Sequence, residues 1–170
     1  MKTADIETSR LIIRSMSLDD AAIAWSFWGN PKVAKYLGDP LYKDVDELRE
    51  VISDIDDWKD EYPFIAYHKE TGEPAATCSV GQEGAPDTWG FGYCVREDLW
   101  GKGYATEIVK ALIDFAAAHG IRKFQGTVAQ ENIASVRVME KVGMTFDHAS
   151  TFRKKGTDNV YASAIYKMSL

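Results

Sequence analysis

Cysteine, histidine and positive charge are all scarce in this 170-residue chain. Its two cysteines, Cys78 and Cys94, fall in stretches that both read as strand, without the paired spacing of a zinc site or a disulfide framework, and fit a reducing compartment. His68, His119 and His148 share no spacing typical of a metal site or a triad, so no metal is predicted and each reads as an ordinary surface or helix-end histidine. The formal charge of -6 argues against a general binder of the phosphate backbone, and nucleic acid is not an expected partner. No segment approaches the roughly 20 apolar residues needed to cross a bilayer, which argues against a membrane partner. The opening "MKTADIETSRLIIRS" lacks the apolar core of a signal peptide, and a cytoplasmic protein is expected.

What is present suits one well-buried core: 45% of the residues are hydrophobic, and the length is short for two domains. "SRLIIRSMS" reads as a first strand. After it, Asp19 or Asp20 can cap a helix carrying Ile23, Trp25, Phe27 and Trp28, ended by Gly29-Asn30-Pro31, with a further helical turn at 33–37. Leu48, Val51, Ile52, Ile55 and Trp58 recur three or four apart, predicting one surface helix through "VDELREVISDIDDWKDE". A hairpin is expected over 64–80 and a strand over 89–95. A glycine-bearing turn leads from there into a helix, followed by the strand "KFQGTVAQ", a helix "NIASVRVMEKVGM" stopped by Gly143, and a last strand in "VYASAIYKMSL". The sum is a mixed α/β single domain without repeats or linkers.

The stretch "YCVREDLWGKGYATEIVKALIDF" places small or flexible residues at Gly101, Gly103 and Ala105, just where a helix begins. Unpaired amides and the helix dipole at such a start favour an anion, typically phosphate. A P-loop needs Ser or Thr after Gly-Lys, and Lys102 is followed by Gly103. A dinucleotide fingerprint needs a third glycine where Thr106 stands. A plain strand-to-helix turn, with glycines for tightness, is the alternative.

"YCVREDLWGKGYATEIVKALIDFA", "NIASVRVMEKVGM" and the opening "TSRLIIRSMSLDDA…WGNPKVAKYLG" together resemble a GNAT-superfamily acyltransferase, in the branch similar to RimJ/RimL protein N-terminal acetyltransferases. The likeness covers 8–170 as one domain. It implies an α/β (α+β) fold with a mixed, mostly antiparallel sheet flanked by helices, and a splayed central strand pair that admits acetyl-CoA. It also implies a loop that wraps the pyrophosphate by the pattern Arg/Gln-x-x-Gly-x-Gly/Ala. Gly101-Lys102-Gly103-Tyr104-Ala105 matches its end, with Thr106 following, while Trp100 stands at the Arg/Gln position. Backbone around Cys94 and Val95 would pair with the pantetheine arm, and Asn132 matches a position that contacts it.

The implied chemistry is attack of a neutral amine on the acetyl thioester. The tyrosine that many GNAT enzymes use to protonate the sulfur is Met139 here. Ser135 matches the serine proposed for that role in this branch, although a serine there can also serve a helix amide. The glutamate often found two residues before the Gly-Tyr of this strand is Gly90, which leaves Asp87, Glu83 and the Tyr93 hydroxyl as candidate bases. Glu107 reads instead as a first-turn carboxylate that supports the helix dipole. Cys94 reads as a packed residue and not an acyl carrier, so direct transfer is expected.

For the acceptor the resemblance points to the N-terminal helices and a late hairpin, hence Trp25, Trp28, Tyr36 and Tyr93, with Phe27 and "STFRKKGTDNVY" beside them. Between Asp39 and Glu61 stand ten acids against three bases, an asymmetry that is either a solvated face or an attraction for cations. The expected partner is an amine-bearing peptide or small molecule, led by a protein or peptide N-terminal α-amino group. A polyamine, amino acid or antibiotic acceptor is the alternative within the enzyme class. A non-catalytic acyl-CoA-binding regulator and an interaction domain with a vestigial loop are the rivals outside it. A homodimer is left open.

Overall fold

A computed structural model describes residues 3–59 and 61–170. Eight strands form one sheet: β1 (Ile6–Glu7), β2 (Leu11–Ser15), β3 (Glu61–His68), β4 (Pro74–Gln82), β5 (Thr88–Val95), β6 (Lys123–Ala129), β7 (Thr145–Arg153) and β8 (Val160–Ser169). Their spatial order is β1-β2-β3-β4-β5-β6-β8-β7, antiparallel throughout except between β5 and β6. The helices are α1 (Ala21–Trp28), α2 (Val45–Val51), α3 (Tyr104–Ala118) and α4 (Ile133–Lys141).

Alternation along the strands sends side chains to two cores. Leu11, Ile13, Phe64, Val80 and Phe124 are buried with Ile108, Val109 and Leu112 of α3. On the opposite face Ile65 packs with Ala21, Ala24, Leu48, Ile52 and Ile55. The expected mixed sheet and its flanking helices are therefore present, and no helix among the described residues is long and apolar enough to cross a membrane.

Three local readings differ from expectation. The helix through 45–61 stops at Val51, and a 3-10 turn at Ile55–Asp57 and the start of β3 take its remainder. Ser and Asp compete for backbone hydrogen bonds and are poor helix formers, so "SDIDD" breaks the helix. The apolar spacing still does its work, because Leu48, Ile52 and Ile55 are all buried. The helical turn expected at 33–37 is a run of turns over 31–36, with the Ala34 amide donating to the Asn30 carbonyl at 2.8 Å, and β7 is a strand that periodicity did not signal. As an edge strand with seven of nine residues exposed, β7 carries no buried stripe to detect.

Between β5 and β6 the sheet forks. The two strands pair only at Thr88↔Lys123 and Trp89↔Phe124, whereas β5 stays in register with β4 up to Ala76↔Val95. From Gly90 onward the β6-facing edge of β5 has no strand partner. This is the expected splay, and it positions everything that follows.

Candidate active site

One cleft, of about 370 Å³, opens on the fork. Its walls include Tyr93, Cys94 and Val95 of β5, the loop residues Trp100, Gly101 and Gly103, the first helical residues Tyr104, Ala105 and Thr106, and Asn132 and Ser135 at the start of α4. Of the cofactor residues expected from sequence, all but Lys102 line it. Lys102 is exposed, and its carbonyl accepts a bond of 2.9 Å from Arg10 Nη1.

The loop owes its shape to two left-handed glycines, Gly101 at φ 73° and Gly103 at φ 83°. Such angles are costly for residues with a Cβ. Gly103 caps α3, so the amides of the first-turn residues, which line the cleft, lack partners within the helix at the positive end of its dipole. Trp100 folds back, and its indole Nε1 donates to the Val95 carbonyl at 2.7 Å.

A polar clamp fixes the loop from behind. Glu107, in the first turn of α3, accepts bonds from Thr8 Oγ1 (2.6 Å), Ser9 Oγ (3.0 Å) and the Arg10 amide (2.9 Å). Arg10 Nε donates to its other oxygen at 2.7 Å, and the guanidinium stacks on the Tyr104 ring with its carbon 3.8 Å from the centroid. Burial raises the Glu107 pKa, but the hydrogen bonds from Thr8, Arg10 and Ser9 outweigh it and leave the carboxyl below its ordinary value. Sequence assigned Glu107 to the helix dipole alone, because its partners lie nearly 100 residues away in the chain.

At the start of α4, Asn132 Oδ1 accepts from the Ser135 amide at 3.3 Å, so the asparagine, not the serine, is the cap. The Ser135 hydroxyl is thus not needed as a cap. It lies near Tyr93 Oη and lowers that phenol's pKa without reaching it at hydrogen-bonding geometry, so Tyr93 Oη is buried without a partner. Burial outweighs the effect and pushes the Tyr93 pKa up to about 12. Two protonated hydroxyls thus flank the cleft, one of them unsatisfied, where a sulfur or carbonyl can serve as acceptor. The residues present fit acetyl-CoA: amides for a pyrophosphate, a free strand edge for an extended arm, and hydroxyls at its reactive end.

Met139, at the position of the usual tyrosine, is buried against Gly126, where an added Cβ would meet its sulfur at 3.0 Å. Cys94 is buried as well, and desolvation lifts its thiol to about 12, which keeps it protonated and unsuited to carrying an acyl group.

A second cleft, of about 580 Å³, lies next to the same fork. In its floor, Glu61 of β3 registers with Gly81 of β4, which registers with Gly90 of β5, while Gly92 follows opposite Ser79. The walls include Asp39, Glu61 and Glu83, with Arg153 and Lys155 from the β7–β8 hairpin and Thr127 across the fork on β6. Although Glu61 is open to solvent as a residue, its carboxyl is desolvated by surrounding protein. That effect and the charges of Asp39 and Glu83 raise its pKa, against the pull of the Ser79 hydroxyl and Lys155.

Tyr36 lines both clefts. It is held by an edge-on contact with Tyr161 at 5.7 Å and by the buried Lys154, whose Nζ donates to the carbonyls of Ala34 (2.8 Å) and Leu37 (3.0 Å). Beside Tyr36, Lys35 Nζ pairs with Glu131 at 3.3 Å.

The remaining acceptor candidates scatter. Tyr93 belongs to the first cleft. Trp25 and Trp28 line neither; they pack against the α1–α2 core, with Nε1 donating to the Tyr42 carbonyl (3.2 Å) and Thr77 Oγ1 (2.9 Å) respectively. Asp87 lies outside both clefts, 2.6 Å from Lys123. Lys154 falls in the "STFRKKGTDNVY" stretch placed beside the acceptor, but its tie to the turn after α1 was not legible, and neither were the positions of Asp39 and Glu61, since only folding brings the hairpin tip to that turn. The acidic bias from Asp39 onward hinted at the last two. Asp60, part of that run, lies outside the described residues. Among the described residues no group of three His, Cys, Asp or Glu could hold a metal ion.

A family model described as "Acetyltransferase (GNAT) domain" matches residues 10–145. The chain is 30% identical over 164 residues to the uncharacterized N-acetyltransferase p20 of Bacillus licheniformis, covering 92% of this chain and 86% of that protein. Among solved structures it resembles a GNAT-family acetyltransferase from Bacillus anthracis, with TM-score 0.82 at 20% identity and 98% of each chain covered. It resembles equally the spermidine N-acetyltransferase of Vibrio cholerae in complex with CoA and spermine, with TM-score 0.82 at 18% identity, covering 95% of this chain and 96% of that one.

Proposed function

Because the chain belongs to the GNAT acetyltransferase family, we propose that it transfers the acetyl group of acetyl-CoA to a primary amine of a small molecule bearing more than one positive charge. The observation that carries this reading is the second cleft. Its three carboxylates, Asp39, Glu61 and Glu83, line it together with the glycines Gly81, Gly90 and Gly92 beside the fork where the cofactor cleft ends. A desolvated carboxyl whose pKa is raised by like charges recovers stability when a cation enters. The Vibrio cholerae neighbour bound to spermine has the same fold, which makes a polyamine a reasonable first acceptor to try.

In this reading the loop amides and the α3 dipole hold the pyrophosphate, and the free edge of β5 pairs with the pantetheine arm. The thioester then lies at the fork between the clefts. The amine attacks from the carboxylate side, a C–N bond forms and the C–S bond breaks. Ser135, with Tyr93 beside it, returns a proton to the departing sulfur. Burial pushes the Tyr93 pKa up to about 12, so the phenol stays protonated and serves as a hydrogen-bond donor to the sulfur as charge develops on it, not as the source of its proton.

A second reading, acetylation of a peptide α-amino group, is favoured by Arg153 and Lys155 in the same cleft. These cations repel a polycation and attract peptide carboxylates. The Lys155–Asp39 pair at 2.8 Å withdraws one charge of each sign, and Arg153 is drawn to Asp158 at 3.4 Å, which leaves Glu61 and Glu83 as the net charge of the cleft and ranks this reading second.

Incubation with acetyl-CoA and an equimolar pool of polyamines, aminoglycosides and free-N-terminus peptides, followed by mass spectrometry, tests the choice. An acetylated polyamine or aminoglycoside is the expected result. Acetylated peptide alone would replace the first reading with the second, and acetyl-CoA bound but unconsumed would favour a regulator.

A further inference from the structure

Gly90 is the first β5 residue past the fork, one position beyond the last rung that β5 shares with β6. A Cβ built on it would stand 2.9 Å from Glu83 Cβ, 3.1 Å from Glu83 Cγ and 3.2 Å from the Gln125 carbonyl oxygen of β6. The first distance is closer than real Cβ atoms approach, so the space above position 90 is filled by the stem of Glu83. The strand lacks a side chain at the fork because its neighbour supplies one. Glu83 leaves β4 just past its last residue, anchored by its amide to the Thr88 carbonyl at 2.9 Å, and its carboxylate lines the acceptor cleft.

We propose that Glu83 is the catalytic base of the transfer, an assignment that rests on the amine-acetylating reading above. An aliphatic ammonium has a pKa of about 10.4 and must lose a proton before its nitrogen can attack. The acceptor must be a carboxylate on the acceptor side of the fork, and geometry selects among those present. Asp87 is outside the cleft and tied to Lys123. Asp39 is held by Lys155. Glu61 lies on β3, two strand spacings or about 9–10 Å from Gly90. The Tyr93 phenol is in the other cleft and holds its proton tightly. Glu83 alone of these has its stem packed against the β5 backbone at the fork.

The protons balance. Glu83 takes one proton from the ammonium and passes it to solvent, to which the residue is exposed. After C–N bond formation Glu83, again unprotonated, takes the second proton from nitrogen, Ser135 gives its proton to the sulfur as the C–S bond breaks and regains one from solvent, and the sulfur departs as a neutral thiol, so each turnover releases one proton net. Glu61 and Asp39 keep the site negative and so attract the ammonium, while Lys155 and Arg153 from the hairpin oppose them.

The test is Glu83→Gln in the full chain, assayed with acetyl-CoA and an amine that the wild type acetylates, across pH. The expected result is a fall in kcat/KM of about a hundredfold. The acidic limb of the pH profile should shift or vanish, with unchanged acetyl-CoA affinity by calorimetry. Against a weakly basic fluorinated analogue of the same amine, already neutral at assay pH, the variant should regain most of the wild-type rate. Turnover within about threefold of wild type, with the same acidic limb, would overturn the assignment. So would an equal deficit on both amines, which would make Glu83 a positioning residue. A wild type that acetylates no amine would instead overturn the reading beneath it. Since Glu83 is exposed, the variant is expected to fold, and an unchanged melting temperature checks this.

Discussion

Arg10 and Glu107, 97 positions apart in the chain, meet at 2.6 Å directly behind the phosphate-binding loop. The guanidinium also reaches the Lys102 carbonyl and lies 3.7 Å from where a Cβ on Gly103 would project. The pair therefore couples the N-terminal strands to the loop. Arg10→Ala frees the loop and removes the stack on Tyr104, and should weaken acetyl-CoA binding by about tenfold, or about 1.4 kcal/mol. Calorimetric titration with CoA checks it, with the amine KM as a control that should move little.

The same carboxylate predicts a pH dependence of stability. Its folded pKa is depressed, so the unfolded state binds the proton more readily. Its stabilisation is present above the unfolded carboxyl value of about 4.3 and is lost as pH falls through the lower folded value. Melting temperatures of wild type and Glu107→Gln should differ clearly at neutral pH and converge on acidification toward pH 3. A gap that persists at low pH would sink this account.

Gly103→Val forces a β-branched residue into a left-handed conformation and sets methyl groups beside the amides of the first-turn residues that line the cleft. The strain costs about 1–3 kcal/mol. Acetyl-CoA binding should fall below detection while the circular dichroism spectrum stays native, since the residue is exposed and packs against no core.

Ser135→Ala should lower kcat by about a hundredfold if its hydroxyl protonates the leaving sulfur. Acetyl-CoA affinity should hardly change, because Asn132 and not Ser135 caps α4. Tyr93→Phe serves as the comparison. A loss there equal to that in Ser135→Ala, with no further loss in the double variant, would show the two hydroxyls acting as one unit.

Lys154→Met keeps the stem but withdraws the ammonium from the carbonyls of Ala34 and Leu37. Two acceptors lose their donor, at about 1–3 kcal/mol each where they are buried. Because the turn they belong to carries Tyr36, the amine KM should rise more than the acetyl-CoA Kd, which steady-state kinetics and calorimetry separate.

Local chemistry made much of this protein legible in one dimension. The glycines at 101 and 103, ahead of an amphipathic run, announced an anion-binding helix start, because backbone amides need only local spacing to be exposed. The alternation of β3 to β6 and the three-to-four spacing of Leu48, Ile52 and Ile55 announced buried faces even where the helix carrying them broke. The ordered set of motifs brought the GNAT resemblance, and Asn132 and Ser135 with it. Edge strand β7 stayed silent, since nothing on it is buried in a stripe.

What folding alone decided are the relations between distant segments. Trp25 and Trp28 were candidates for either pocket or core, and folding packs both against the α1–α2 core, Trp25 bonded to the Tyr42 carbonyl and Trp28 to Thr77 of the sheet. Lys154 looked like one basic residue among several and became the buried tie that holds Tyr36 between two clefts. The vacancy at Gly90 looked like a missing catalytic group until β4 laid Glu83 across it. Sequence fixes which groups a strand or helix start must expose, because those are short-range properties of the backbone. Which side chain fills an empty place depends on the strand next door, and only the register of the sheet determines that.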